Sequence, residues 1–258
     1  MVASLYFDVH GWLMAGLLAM ARVAPVFFLL PFFNTSVMTG VVRTPVIILV
    51  AHALWPHQAD VLLSWGTWRY LELLGREVAI GLLIACVVVW PLWVCHALGS
   101  VLDNQRGATL GSIIDPINGA EMTETANLLN LFAAAVFLEG GGLSLMLDTF
   151  AASYRLCDPL TGCSPTWPQL FSMLGDLTGK ALILASPAVA ALLLSEAVLG
   201  LLSRFAPQMN AFAVSLTVKS AIAWLILLIY FGPVLPDAIR TLMFRPDVLP
   251  AWLIPASS

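Results

Sequence analysis

Residues 78–102 contain no Asp, Glu, Lys or Arg, and as a helix this run would extend about 38 Å at 1.5 Å per residue. Such a stretch can span a bilayer. The remaining chain has the same character, with 60% hydrophobic and 10% charged residues, against roughly 25% charged in soluble domains. A soluble enzyme is excluded on that ground. Nucleic acid is excluded as a partner because a net charge of −4 leaves no basic patch to neutralise phosphates.

Hydropathy along the chain predicts an all-α fold of about six apolar helical segments, several Pro-broken, packing as hairpins in one body over residues 1–258. Apart from 78–102, each segment is flawed as a lipid-facing span. Residues 11–33 hold Arg22, Pro25 and Pro31; 45–63 hold His52, Pro56 and Asp60; 125–147 hold Glu139 and three consecutive glycines. Residues 181–202 contain Pro187 and Glu196, and 211–236 contain Lys219. A charge at bilayer depth costs about 2.5–3.5 kcal/mol on insertion scales. Arg22, Glu139, Glu196 and Lys219 are therefore expected to meet protein or water. Arg22 and Lys219 read equally well as snorkelling residues, whereas Glu139 and Glu196 read as buried against partner helices. Residues 1–10 carry Asp8 and no basic residue, so the first apolar segment reads as retained rather than as a cleaved signal.

Ala181, Ala185, Ala188, Ala191 and Ser195 fall on one helical face, a pattern that suits close helix packing. Cys86 and Cys95 lie in the uncharged run and read as buried hydrophobes. Cys157 and Cys163 flank a turn-rich loop and would bridge if that loop faced an oxidising compartment. The basic residues argue the other way. Six of them (Arg69, Arg76, Arg155, Lys180, Arg240, Arg245) fall on the amino-terminal side of a six-span arrangement, against three (Arg43, Arg106, Arg204) on the other. That count favours cytoplasmic termini and a reducing environment for the pair. The two expectations exclude each other.

Catalytic signatures are missing. There is no zinc-protease, nucleophile-elbow or P-loop pattern, and His10, His52, His57 and His96 are scattered. No cofactor is implied. The most distinctive polar stretch is 103–121, which contains Asp103, Gln105, Arg106, Gly107, Gly111, Ile113, Ile114, Asp115 and Pro116. Its glycines and Asp-Pro step predict a compact loop, and its isoleucine pair gives that loop an apolar tip. A loop this long in a compact protein is often a lid or plug.

Three motifs together resemble one family. They are Arg22-x-x-Pro25 with Pro31 and Arg43-x-Pro45; Asp103-x-Gln105-x-Gly107 with Asp115-Pro116; and Arg204-Phe-Ala-Pro207-Gln208-Met209-Asn210 with Phe212 and Lys219. In this order, across the apolar segments, they resemble the T subunits of type III secretion export gates (SctT/FliR/SpaR-like). Glu139-Gly-Gly-Gly142 stands where flagellar members carry a more polar element, which favours the injectisome branch. The resemblance implies a non-enzymatic inner-membrane subunit that closes a spiral of R-type and S-type subunits, with a U-type switch subunit nearby. Together they would form the entrance pore for unfolded secreted proteins. It also implies that the 103–121 loop occludes the pore. Arg22, Pro25, Glu139, Glu196, Arg204, Pro207, Gln208, Met209, Asn210 and Lys219 would make subunit contacts, with membrane lipid around the assembly. The competing class is a small secondary transporter with its site among the embedded charges, suggested by an Arg-x-Ala-Pro pattern at Arg22 and again at Arg204.

Overall fold

The computed structural model describes residues 2–33, 39–57, 66–107, 124–161, 163–165, 167–205, 211–243, 249 and 253–255. Among them the fold is all-α apart from one short strand pair. Its helices are α1 (Val2–Leu29), α2 (Gly40–Leu54), α3 (Thr67–Arg106), α4 (Glu124–Glu139), α5 (Gly142–Leu156), α6 (Trp167–Phe205), α7 (Ala211–Ile226) and α8 (Gly232–Leu242). A π-helical turn, Leu227–Phe231, joins α7 to α8. Strands β1 (Cys163–Pro165) and β2 (Leu253–Pro255) pair antiparallel, Cys163 opposite Pro255.

The helices run on through their prolines. Pro25, Pro45, Pro91, Pro187 and Pro236 lie inside α1, α2, α3, α6 and α8. Each removes one backbone hydrogen bond, but in apolar surroundings no water competes for the freed carbonyl and the helix remains the best solution. Glycine makes the breaks. Gly107 (φ +79°) stops α3, and Gly141 (φ +77°) separates α4 from α5, both in the left-handed region that glycine enters without a Cβ penalty. The single segment expected over 125–147 is thus two helices.

Among the described residues four helical stretches are long and apolar enough to cross a membrane: His10–Leu29, Thr67–Arg106, Leu174–Phe205 and Val214–Leu242. The α4–α5 pair makes a fifth if its two helices act as one span. The six apolar segments expected each carry helix among the described residues; α2, with 15 residues, is about 22 Å long against a hydrocarbon core of ~30 Å and falls short of a span.

The chain divides into two compact units: 1–90 with 141–172 and 243–258, and 91–140 with 173–242. In the first, α1 packs on α2, and Ala15 and Leu18 of α1 meet Tyr70 and Leu73 of α3. A Cβ placed on Gly81 would collide with the Arg22 backbone, so α3 touches α1 main chain to main chain. In the second unit Gly99 does the same against the backbone of Thr125 and Ala126 at the start of α4. There α4 also packs on α8. The small-residue face of α6 is its buried face: Ala181, Ala185 and Ala188 are inaccessible, while Ile183, Leu194 and Leu201 are exposed.

Gly81→Ala and Gly99→Ala should each destabilise the protein by about 1–3 kcal/mol, since backbone must move to admit the methyl group. Gly75→Ala, which meets open space, should be neutral or slightly stabilising. Thermal unfolding of the detergent-solubilised chain, followed by tryptophan fluorescence, checks the difference.

Candidate functional site

Arg22 and Glu77 are both fully buried. The guanidinium grips the carboxylate at two points, Nε to Oε2 at 2.6 Å and Nη2 to Oε1 at 2.9 Å. Nη1 donates to Ser153 Oγ at 3.3 Å, and Nη2 also donates to the Cys157 carbonyl at 3.0 Å. The Tyr154 ring lies 4.1 Å from the guanidinium carbon. Arg22 comes from the last third of α1, Glu77 from α3, and the remaining groups from the end of α5. Gly81 is one turn beyond Glu77 on the same face of α3, and its missing side chain lets the two helices close on the pair.

The loop after α5 is tied to its surroundings in the same way. Arg76 donates to the Pro159 carbonyl, and His57 Nε2 lies 2.9 Å from Asp158 Oδ1. Burial pushes the Asp158 carboxyl up, but the Leu160 N–H and the His57 ring outweigh it and hold the group below the ordinary carboxylate range. Cys157 and Cys163 are joined in a disulfide, whereas Cys86 and Cys95 are free.

In the second unit Asp103 is fully buried in the last turn of α3. Its Oδ2 accepts the backbone N–H groups of Thr125 (3.0 Å) and Ala126 (3.4 Å). It therefore serves α4 as an N-cap supplied from another helix, satisfying donors that a helix start leaves unpaired and placing a negative charge at the positive end of the dipole. Arg106 neutralises it, Nη2 to Oδ1 at 2.7 Å and Nε to Oδ1 at 2.9 Å. Lys219 of α7, nearly buried, pairs with Glu196 of α6 at 3.0 Å.

The expected site residues divide accordingly. Asp103, Gln105 and Arg106 belong to α3 and not to the loop, because Arg106 complements the helix C-terminus and only Gly107 stops it. Gly111, Ile113, Ile114, Asp115 and Pro116 lie outside the described residues, as do Pro207, Gln208, Met209 and Asn210. Arg22 is a buried ion-pair member and does not snorkel. Pro25 is half-buried in α1, and Glu139 and Arg204 are exposed. Glu196 is half-exposed and pairs within its own chain. Of the two arginines in the Arg-x-Ala-Pro pattern, Arg22 is buried and Arg204 exposed; Ala206 and Pro207 lie outside the described residues. Glu77, Ser153 and Gly81 were absent from the sequence expectation. The usable signal was Glu77 standing directly before the uncharged run with a glycine one turn later. Among the described residues no His, Cys, Asp and Glu cluster could hold a metal ion.

Removing one partner of the buried pair leaves a charge in apolar protein, so Arg22→Ala or Glu77→Ala should each cost about 3–5 kcal/mol. The double replacement Arg22→Met with Glu77→Leu should recover much of that loss. Thermal midpoints of the three variants check this, and additive losses would contradict the pairing.

Residues 13–245 match the model for bacterial export proteins, family 1. Over 252 residues the chain is 51% identical to the surface presentation of antigens protein SpaR of Salmonella typhimurium, covering 98% of this chain and 96% of that protein. It is 44% identical to SpaR of Shigella flexneri over 88% of this chain and 89% of that one. It is 30% identical to the Yop proteins translocation protein T of Yersinia pestis over 92% and 93%. These are names of secretion components and not of enzymes. With the family's model spanning nearly all its helices, and secretion proteins of pathogens matching almost its full length, this chain belongs to the bacterial export proteins of family 1, on the injectisome branch of the type III secretion T subunits.

Proposed function

We propose that the chain is a non-enzymatic subunit of the inner-membrane export gate of a type III secretion system. Together with R-type and S-type subunits, and beside a U-type subunit, it forms and seals the entrance pore for unfolded substrates. Part of its helical mass protrudes toward the periplasm. The observation that carries the sealing role is the Asp103 clasp: it joins the end of α3 to the start of α4, so the two helix ends that flank the 108–123 stretch are fixed at one place. A stretch held at both ends, with glycines to bend and Ile113 and Ile114 to fill, suits a plug that closes a lumen without a covalent or metal lock. The assembly role is supported by the outward faces of α6 and α7. Leu193, Leu194, Val198, Leu201 and Leu225 are exposed there around the Glu196–Lys219 pair, and a charge in such a face is better served by neighbouring helices than by lipid.

Deleting residues 111–117 from the full gate should leave assembly with the R-type and S-type partners intact and raise leakage of small ions. A conductance or solute-leak assay on cells expressing the complex reads this; unchanged leakage in an assembled mutant would return the stretch to an ordinary connector. Glu196→Leu should lower the yield of co-purified complex more than Glu72→Leu, because Glu72 is exposed in a polar stretch. Equal yields would remove the contact role of Glu196.

A further inference from the structure

Cys157 ends α5 with non-helical backbone (φ −129°, ψ 80°) and turns its carbonyl onto Arg22. Cys163 lies 5.3 Å away by Cα, opens β1, and is bonded to it. Between them the loop lends the Pro159 carbonyl to Arg76 and the Asp158 carboxylate to His57. Beyond them β1 pairs with β2 near the end of the chain. The bond therefore closes a loop that supplies acceptors to two arginines and a histidine. Both sulfur-bearing residues are buried, as befits a structural bond and not an exchanging one.

We infer that the Cys157–Cys163 bond is a maturation step made on the periplasmic side of the membrane, and that it locks the loop that completes the Arg22–Glu77 centre. The inference rests on the inner-membrane location proposed above. A reducing cytoplasm does not sustain such a bond, whereas a periplasm does. Of the two mutually exclusive expectations, the bond is the one the structure holds, so the small count of basic residues gives way to it. The chemistry is thiol–disulfide exchange. One cysteine thiolate attacks the disulfide of a periplasmic thiol oxidoreductase, and the other cysteine then displaces the enzyme from the mixed disulfide. The two thiols lose two protons and two electrons, and the oxidoreductase leaves as its dithiol.

The natural chain has four cysteines, so counting alkylated thiols by intact mass tests the inference without substitution. Complex purified with its R-type and S-type partners is acid-quenched, denatured and alkylated. Two adducts are expected before reduction, on Cys86 and Cys95, and four after it; in cells lacking the periplasmic oxidoreductase, four are expected without reductant. Four adducts from ordinary cells would overturn the periplasmic placement, and two from the oxidase-deficient cells would overturn the enzymatic step. A chain that carries the bond but fails to co-purify with partners would refute the gate reading and leave this one standing. Cys157→Ser with Cys163→Ser should speed tryptic cleavage after exposed Arg155 by roughly tenfold, and an unchanged rate would overturn the locking role.

Discussion

A charge pair removed from water is tolerable only when every group around it is in place, and the Arg22–Glu77 centre sets that demand for the first unit. Its desolvation cost of several kcal/mol per ion is offset by a two-point ion pair, a serine hydroxyl, a main-chain carbonyl and an aromatic face. Those groups come from α1, α3 and α5, so the three helices have little freedom to slide. Gly81 permits the close approach, and the disulfide-closed loop after α5 delivers the carbonyl. The pair is better viewed as fixing register than as a source of net stability, since an apolar replacement of both partners could be equally stable.

The second unit applies the same logic to backbone. The first N–H groups of α4 would be unsatisfied in an apolar environment, and Asp103 reaches from α3 to meet them while Arg106 meets Asp103. Gly99, one turn earlier on α3, is what lets the two helices come that close. A functional stretch between α3 and α4 inherits a fixed base from this arrangement, whatever it does beyond it.

Apolarity alone does not tell lipid contact from protein contact. The most hydrophobic of the four candidate spans lies in α3 and is the most enclosed, with 72% of its apolar stretch buried by the chain itself, against 17% in α6 and 11% in the α7–α8 stretch. The run that looks most like a membrane span is therefore largely the core. The helices that leave their faces uncovered are those that carry the Glu196–Lys219 pair. Lipid tails are as apolar as leucine and give helices no hydrophobic reason to associate. Small residues and polar pairs mark contacts better, as the buried alanine face of α6 illustrates.

The sequence by itself determined the helical class and the family, but not the bends: prolines expected to break helices lie inside them, and Gly141 divides a segment expected to be single. Hydropathy period and a short set of motifs are local properties, read over a few turns. It also singled out Arg22, Glu139, Glu196 and Lys219 as charges that need protein or water, with Arg22 and Lys219 reading equally well as snorkelling residues, because an ionised group among leucines is conspicuous. It did not disclose which partners. Glu77 lies 55 residues from Arg22, Asp103 lies 22 from Thr125, and Ser153 is one hydroxyl among many. Only the tertiary structure decided that the cleanest apolar run is core, that Asp103 caps a helix and does not belong to a loop, and that Cys157 and Cys163 meet. The reason is physical: a buried polar group is satisfied by whatever the packed helices bring within about 3 Å, and that proximity is set by the approach of whole helices at Gly81 and Gly99, not by any residue's neighbours in the chain.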